Sequence, residues 1–268
     1  GAGNVKVGRM LHWIWEIIIL VFLLMPLAVT LIYSFAGRWI HILPEGFTLE
    51  YYAEILTDSK FISGILRGLF ISIIPVALTL VSVLTALYAV IVYFPKAEKL
   101  VQLFCLLPTT INGIILATSI LGTYSGSGTV LSNRIVMLVC VYCVFIMPMT
   151  YQSVRNSLYA VNTKGLLEAA EMLGYRKFFS YVRVVIPSIL PGLCNAALVC
   201  MSGLFGDFAI IKIIASSQFE TAQSYLYRNR AVDAQALSAA VVILLLITLA
   251  INLTVHMNQR RGKERGKS

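Results

Sequence analysis

Charge is scarce in this chain: charged residues occupy 12% of its 268 positions, against roughly 25% in an ordinary soluble domain. Hydrophobic residues reach 59%, which leaves too little polar surface to face water on every side. Acid is scarcer than base, with 12 Asp and Glu against 21 Lys and Arg, and there are 3 histidines. His12, His41 and His256 lie near the ends of apolar stretches without a clustered carboxylate or cysteine, so they read as interfacial polar groups, and no catalytic constellation emerges. Cys105, Cys140, Cys143, Cys194 and Cys200 all fall inside apolar stretches and behave as small hydrophobes, which excludes a disulfide framework. Cys140 and Cys143 form a C-x-x-C without polar flanks or a second ligand pair; packing is the better reading, and no metal or cofactor is expected.

What the chain has instead is apolar runs of about 20 residues, the length that spans hydrocarbon as helix. They lie at about Ile14–Phe35, Gly68–Phe94, Leu100–Leu121, Ile135–Tyr151, Ile189–Ile214 and Ala234–Met257; of the five after the first, all but Ile189–Ile214 lack Asp, Glu, Lys and Arg. The first follows Lys6 and Arg9 as a secretory signal would, yet it exceeds a signal's apolar core of about 7–15 residues and continues into Gly37-Arg38-Trp39. A retained helix fits better, so the expected fold is an all-α membrane protein with six transmembrane helices. Pro26, Pro75, Pro108 and Pro148 lie inside the runs, where kinks are expected.

Six crossings put both termini on one side. The N-terminus, second loop, fourth loop and C-terminus hold 14 of the 21 basic residues, five of them in the tail Arg260, Arg261, Lys263, Arg265 and Lys267. Those segments are cytoplasmic by the positive-inside rule, and the net charge of +9 reads as an orientation signal rather than a nucleic-acid surface. Arg38, Lys60, Arg67, Arg134, Lys212, Arg228 and Arg230 belong to outer loops or helix ends. The first outer loop, with Glu45, Glu50, Tyr51, Tyr52, Glu54 and Asp58, reads as a polar amphipathic stretch along the outer surface.

The longest inner loop, Arg155 to Pro187, is patterned rather than merely hydrophilic. Asn162 or Thr163 can cap the segment Leu166 to Leu173, built mostly of strong helix formers, and Gly174 supplies a left-handed stop. Tyr175 to Arg183 mixes aromatic and basic residues, and a second helix leads back to the membrane. Glu168-Ala169-Ala170, then Gly174, then Val184 and the pair Ile186-Pro187 resemble the EAA loop of ATP-binding-cassette importer permeases of the type I fold. Val184 and Ile186 stand where the family usually has Ile and Leu.

The resemblance implies that this loop is a coupling helix, docked on a cytoplasmic ATPase dimer and carrying its motion to the membrane. It further implies a second permease subunit, the same or homologous, and an extracytoplasmic solute-binding protein. The family domain covers about residues 65–255, with residues 1–64 holding the first helix and outer loop, and 256–268 a basic tail. The residues agree: Ala169 and Ala170 permit close approach, Glu168 can pair with a donor, and Leu166, Leu167, Met172 and Leu173 can bury apolar area. An amphipathic helix lying on inner-leaflet lipid is the plainer alternative, since Arg176, Lys177 and Arg183 would suit anionic headgroups.

Asp207 is the one acidic residue deep in an apolar run, where a lone carboxylate costs at least about 2.5 kcal/mol, so it should face a cavity or a partner. It can be structural, paired with Lys212 or hydrogen-bonded, or it can line a translocation path with Phe208, Asn112 and Tyr124 and meet an amine-bearing solute. Gly206-Asp207-Phe208, Thr221-Ala222-Gln223 and Tyr225-Leu226-Tyr227 resemble the polyamine, phosphonate, ferric-ion and thiamine branch of the family. A small polar solute such as a polyamine or aminophosphonate is therefore expected, imported across a bacterial inner membrane. The rival is an ion-gradient-driven transporter or channel working through Asp207. Gly262 to Ser268 is too short between its glycines for a phosphate loop, and Asn252-Leu253-Thr254 lies within a membrane run, beyond a glycosyltransferase.

Overall fold

Each apolar run folds as helix, because backbone polar groups in hydrocarbon must be satisfied within the segment itself. The computed structural model describes residues 2–38, 45–215, 218–229 and 234–265. Trp39, His41, Arg230 and Lys267, and the side chains of Lys6, Arg9, His12, Arg38, Glu45, His256, Arg260, Arg261, Lys263 and Arg265, lie outside the described residues. In chain order come α1 (Ala2–Phe35), β1 (Ala36–Arg38), β2 (Glu45–Phe47), α2 (Glu50–Thr57), α3 (Ser59–Val92), α4 (Glu98–Leu106) and α5 (Gly113–Tyr124). There follow α6 (Arg134–Ala160), α7 (Thr163–Met172), α8 (Lys177–Ser180), α9 (Ile186–Phe205), α10 (Ala209–Ile214), α11 (Ala222–Asn229) and α12 (Ala234–Arg265).

Among the described residues, five stretches are long and apolar enough to cross a bilayer: Trp13–Phe35, Ser59–Val92, Arg134–Ala160, Lys177–Phe205 and Ala234–Thr254. Pro95–Thr110 and Gly113–Tyr124 pass the same test only as a pair and meet at 95°, the geometry of a broken sixth span or of a re-entrant loop. The fold is therefore the multi-pass helical one expected, with two corrections to its crossings. The third, expected as one helix over Leu100–Leu121, is broken: Pro108 sits in a 3-10 turn, Ile111 is extended, and Asn112 restarts the helix by accepting the Ile114 amide on Oδ1 at 2.9 Å. The fifth, expected over Ile189–Ile214, stops at Phe205 and resumes at Ala209. By contrast Pro26, Pro75 and Pro148 lie within continuous helices.

The chain divides into two compact units, Gly1–Ile62 with Tyr225–Leu246, and Ser63–Ser224 with Ile247–Ser268. In the first, the stretch expected to be a polar surface segment forms a small antiparallel hairpin, Ala36 opposite Phe47 and Arg38 opposite Glu45, followed by α2. Phe35 stacks on Phe47 at 5.5 Å, and the Ser34 and Tyr52 hydroxyls are 2.7 Å apart. Asp58 starts α3 by accepting the Lys60 amide on Oδ1 at 2.8 Å, while its Oδ2 accepts the Tyr225 hydroxyl at 2.6 Å. That bond holds the Asp58 carboxyl below the usual carboxylate range, and burial together with Asp58 pushes the Tyr225 phenol up to about 12. Within the apolar window of α1 only 6% of residues are buried, so nearly its whole circumference is offered to lipid or another chain.

The second unit holds two apolar clusters. One joins α3, α5, α6, α9 and α10 through Ile71, Ala117, Leu138, Tyr142, Leu204 and Ile211. The other joins α3, α6, α7 and α9 through Leu87, Tyr88, Tyr151, Leu158, Leu167, Tyr181 and Ile189. Helix α6 contributes to both and links the region of α10 to the region of α7.

Candidate functional site

Helix α7 is set on a fixed corner. Asn162, left-handed at φ 47° and ψ 56°, turns the chain out of α6, a conformation Asn tolerates better than most residues. Neither expected side-chain cap forms: Asn162 leaves its backbone carbonyl to accept the Leu166 amide, and the Thr163 hydroxyl donates back to the Leu158 carbonyl at 2.6 Å. Along α7, Thr163, Leu166, Leu167 and Ala170 recur at i, i+3, i+4 and i+7 and are buried or half-buried. Leu166 and Leu167 pack into the second cluster. Glu168, Ala169 and Met172 lie on the opposite face and are exposed, so the two adjacent alanines point to different sides.

The helix ends in a Schellman turn. Gly174 has φ +82°; its amide donates to the Glu171 carbonyl at 2.9 Å and the Tyr175 amide to the Ala170 carbonyl at 3.1 Å. Beyond it Lys177 pairs with Glu171 at 3.3 Å, Tyr175 stacks on Phe179 at 5.9 Å, and the Arg183 guanidinium lies 5.2 Å over the Phe179 ring. Met172 is 91% and Leu173 77% exposed, and Tyr175, Phe178 and Phe179 are exposed with them. Large apolar side chains thus gather at one exposed turn, a pattern that is common at interaction surfaces. Tyr181 anchors the returning chain: buried at the start of a π-helical turn, it donates to the Leu84 carbonyl at 3.0 Å and packs 4.8 Å from Tyr88. Ile186 packs on the second cluster, and Pro187, exposed in the first turn of α9, forgoes an amide hydrogen bond that a helix start lacks anyway.

Asp207 sits in the break between α9 and α10 rather than inside a helix. Its Oδ2 accepts the Ile210 amide at 3.1 Å, capping α10, and the hydroxyl of fully buried Tyr142 at 2.8 Å. Lys212 lies with its Nζ 5.5 Å from the centre of the Phe208 ring. Helix α5 packs against α10 closely enough that a Cβ on Gly113 would meet Ile210 Cδ1 at 3.1 Å. Asn112 and Tyr124 occupy opposite ends of α5, about 18 Å of helix apart.

A third polar group went unnoticed in the sequence. Glu98, opening α4, accepts on Oε1 from Arg155 Nε at 3.0 Å, Arg155 Nη2 at 2.8 Å and the Tyr159 hydroxyl at 2.7 Å. The Arg155 guanidinium also stacks 4.7 Å over the Tyr159 ring. Its sequence signal is partial: Arg155 and Tyr159 are four apart on one helix face, but nothing local points to Glu98.

The fold these elements build is similar to that of solved ABC importers. The chain superposes on a bacterial ABC transporter involved in import of the acidic polysaccharide alginate with TM-score 0.66 and 20% identity, over 96% of this chain and 97% of that one. It also matches the inward-facing MetNI methionine ABC transporter, with TM-score 0.59 and 21% identity over 75% of this chain and 95% of that one. In sequence it is 23% identical over 250 residues, 92% of each chain, to the protein named as a 2-aminoethylphosphonate transport system permease, PhnV, of Salmonella typhimurium. It is 24% identical over 198 residues to the ABC transporter permease protein y4fN of Sinorhizobium fredii, covering 70% of this chain and 34% of that protein. No protein-family model matches it. Similarity to transport permeases thus covers nearly the whole chain.

Proposed function

We propose that this chain is the permease subunit of an ATP-driven importer, one half of a two-permease core with a cytoplasmic ATPase dimer and an outer solute-binding protein. The observation that carries the reading is α7 itself: its inner face is locked into the protein's core, while Ala169, Met172 and Leu173 stand exposed at a Gly174 turn. Burying Met172 and Leu173 in a partner's groove is worth roughly 1.5–3 kcal/mol each. Glu168 lies on the exposed face with them, and Ile186-Pro187 starts the helix that carries the motion inward. Both termini and α7 then lie in the cytoplasm of a bacterial cell, as the basic residues suggest.

Transport proceeds by alternating access. Nucleotide draws the ATPases together, the two α7 helices follow, and the permease halves reopen outward to accept solute. The solute is a small zwitterion of the 2-aminoethylphosphonate kind, a reading supported by the name borne by relatives that align over 92% of this chain. The translocation path runs past Asp207 and Phe208, with Asn112 and Tyr124 at the ends of the α5 helix that packs beside α10; the Asp207 carboxylate receives the amine. Calorimetry of the partner solute-binding protein with 2-aminoethylphosphonate, followed by ATP-driven uptake in proteoliposomes, tests the solute. Tight binding with uptake is expected; uptake of an unrelated solute alone would refute the assignment.

A further inference from the structure

Three donors converge on one oxygen of Glu98, two from Arg155 and one from Tyr159, and the three side chains sit at the joint that matters most for a coupled machine. Arg155 and Tyr159 occupy the last turns of α6, directly before the Asn162 corner and α7. Glu98 opens α4, which runs into the 95° bend and then α5. Helix α5 in turn packs in one apolar cluster with α10, the helix that Asp207 caps.

The surrounding packing does not fix this joint alone. Val101 and Cys105 of α4 touch the second apolar cluster, but apolar contact is non-directional and lets helices slide. Glu98 and Tyr159 themselves help to line a cavity of about 290 Å³, together with Val90, Ile91, Leu158 and Asn162. Across such a gap, charged hydrogen bonds with set angles are what hold register.

We infer that Glu98, Arg155 and Tyr159 form a clasp that locks α4 to the α6–α7 corner, so that displacement of α7 is passed to the broken third passage. They are positioning residues, and the inference rests on the permease reading above. When the ATPases draw α7, the corner moves as one piece with α6; the clasp makes α4 follow, and the bend at Leu107–Thr110 converts that shift into movement of α5 against α10.

The test uses the complete complex of this chain, its ATPase and its solute-binding protein in liposomes, with 2-aminoethylphosphonate as probe. Glu98→Gln and Arg155→Lys are expected to assemble and to hydrolyse ATP while solute moved per ATP falls at least fivefold; Tyr159→Phe, which removes one of three hydrogen bonds, should fall less. The charge exchange Glu98→Arg with Arg155→Glu is expected to restore at least half of the lost ratio, a rescue that mere loss of packing would not show. An unchanged ratio in both single variants, or a loss that the exchange leaves in place, overturns the clasp while leaving the permease reading intact. A wild-type complex that never couples ATP to uptake overturns both.

Discussion

The Tyr142 hydroxyl donates to Asp207 Oδ2 at 2.8 Å, so a residue in the N-terminal half of α6 holds the break between α9 and α10. The same oxygen takes the Ile210 amide, so the Asp207 side chain has two hydrogen-bond donors where hydrocarbon would offer none.

Removing that donor should cost more than removing an idle one. Tyr142→Phe is expected to destabilise the detergent-solubilised protein by about 1–3 kcal/mol, the range for leaving a polar group short of its partner. Tyr151→Phe is the control, since the buried Tyr151 hydroxyl has no hydrogen-bond partner among the described residues and its loss should be neutral or stabilising. Thermal unfolding followed by intrinsic fluorescence compares the two; equal losses would deny the Asp207 bond its role.

The Gly174 turn offers a conformational test free of steric clash. A Cβ there meets nothing within 4 Å, but φ is +82°, so Gly174→Ala pays only the left-handed penalty, about 1 kcal/mol or somewhat more. Asn, which tolerates that region better, should lose less. Affinity for the ATPase, measured by interferometry on solubilised permease, should follow the order Gly, Asn, Ala.

The two faces of α7 should separate stability from docking. Leu167→Ala is expected to destabilise by about 2–5 kcal/mol, because its side chain is buried in the second cluster. Met172→Ser and Leu173→Ser should leave unfolding temperature within error and weaken ATPase binding, since both side chains are exposed. Destabilisation by the serine variants would mean that this face is already used within the chain.

At the Asp58–Tyr225 pair the sign follows from the two directions. The Asp58 carboxyl titrates below its ordinary value, so its contribution is present above about pH 4 and is lost as pH falls through the lowered folded value. Tyr225 is raised to about 12, so its contribution is full below about pH 10 and is lost as pH rises towards 12. Tyr225→Phe should therefore be less stable than wild type at pH 7, with the gap closing at both extremes; melting curves at pH 3, 7 and 11.5 measure it.

The apolar helices were legible because a bilayer imposes length and composition on every segment that crosses it. Gly174 was legible for a similar reason: a stop that needs positive φ selects glycine. The breaks at Ile111 and at Gly206-Asp207-Phe208 were not, because an apolar run reads alike whether it is straight or folded back. Asp207 stood out by its cost, but Tyr142 lies 65 positions away and nothing in an apolar helix announces which tyrosine will face it. Glu98 was hidden for the same reason: one glutamate in a loop rich in lysine reads as solvated until α6 places Arg155 and Tyr159 upon it.

The exposed turn of α7 can be asked directly what it touches. With a photoreactive amino acid at Leu173 and another at Met172, irradiation of intact membranes should cross-link this chain to an ATP-hydrolysing subunit, with a yield that changes when nucleotide is added. Cross-links to lipid alone, or to no nucleotide hydrolase in any nucleotide state, would contradict the reading of this chain as an ATP-coupled permease.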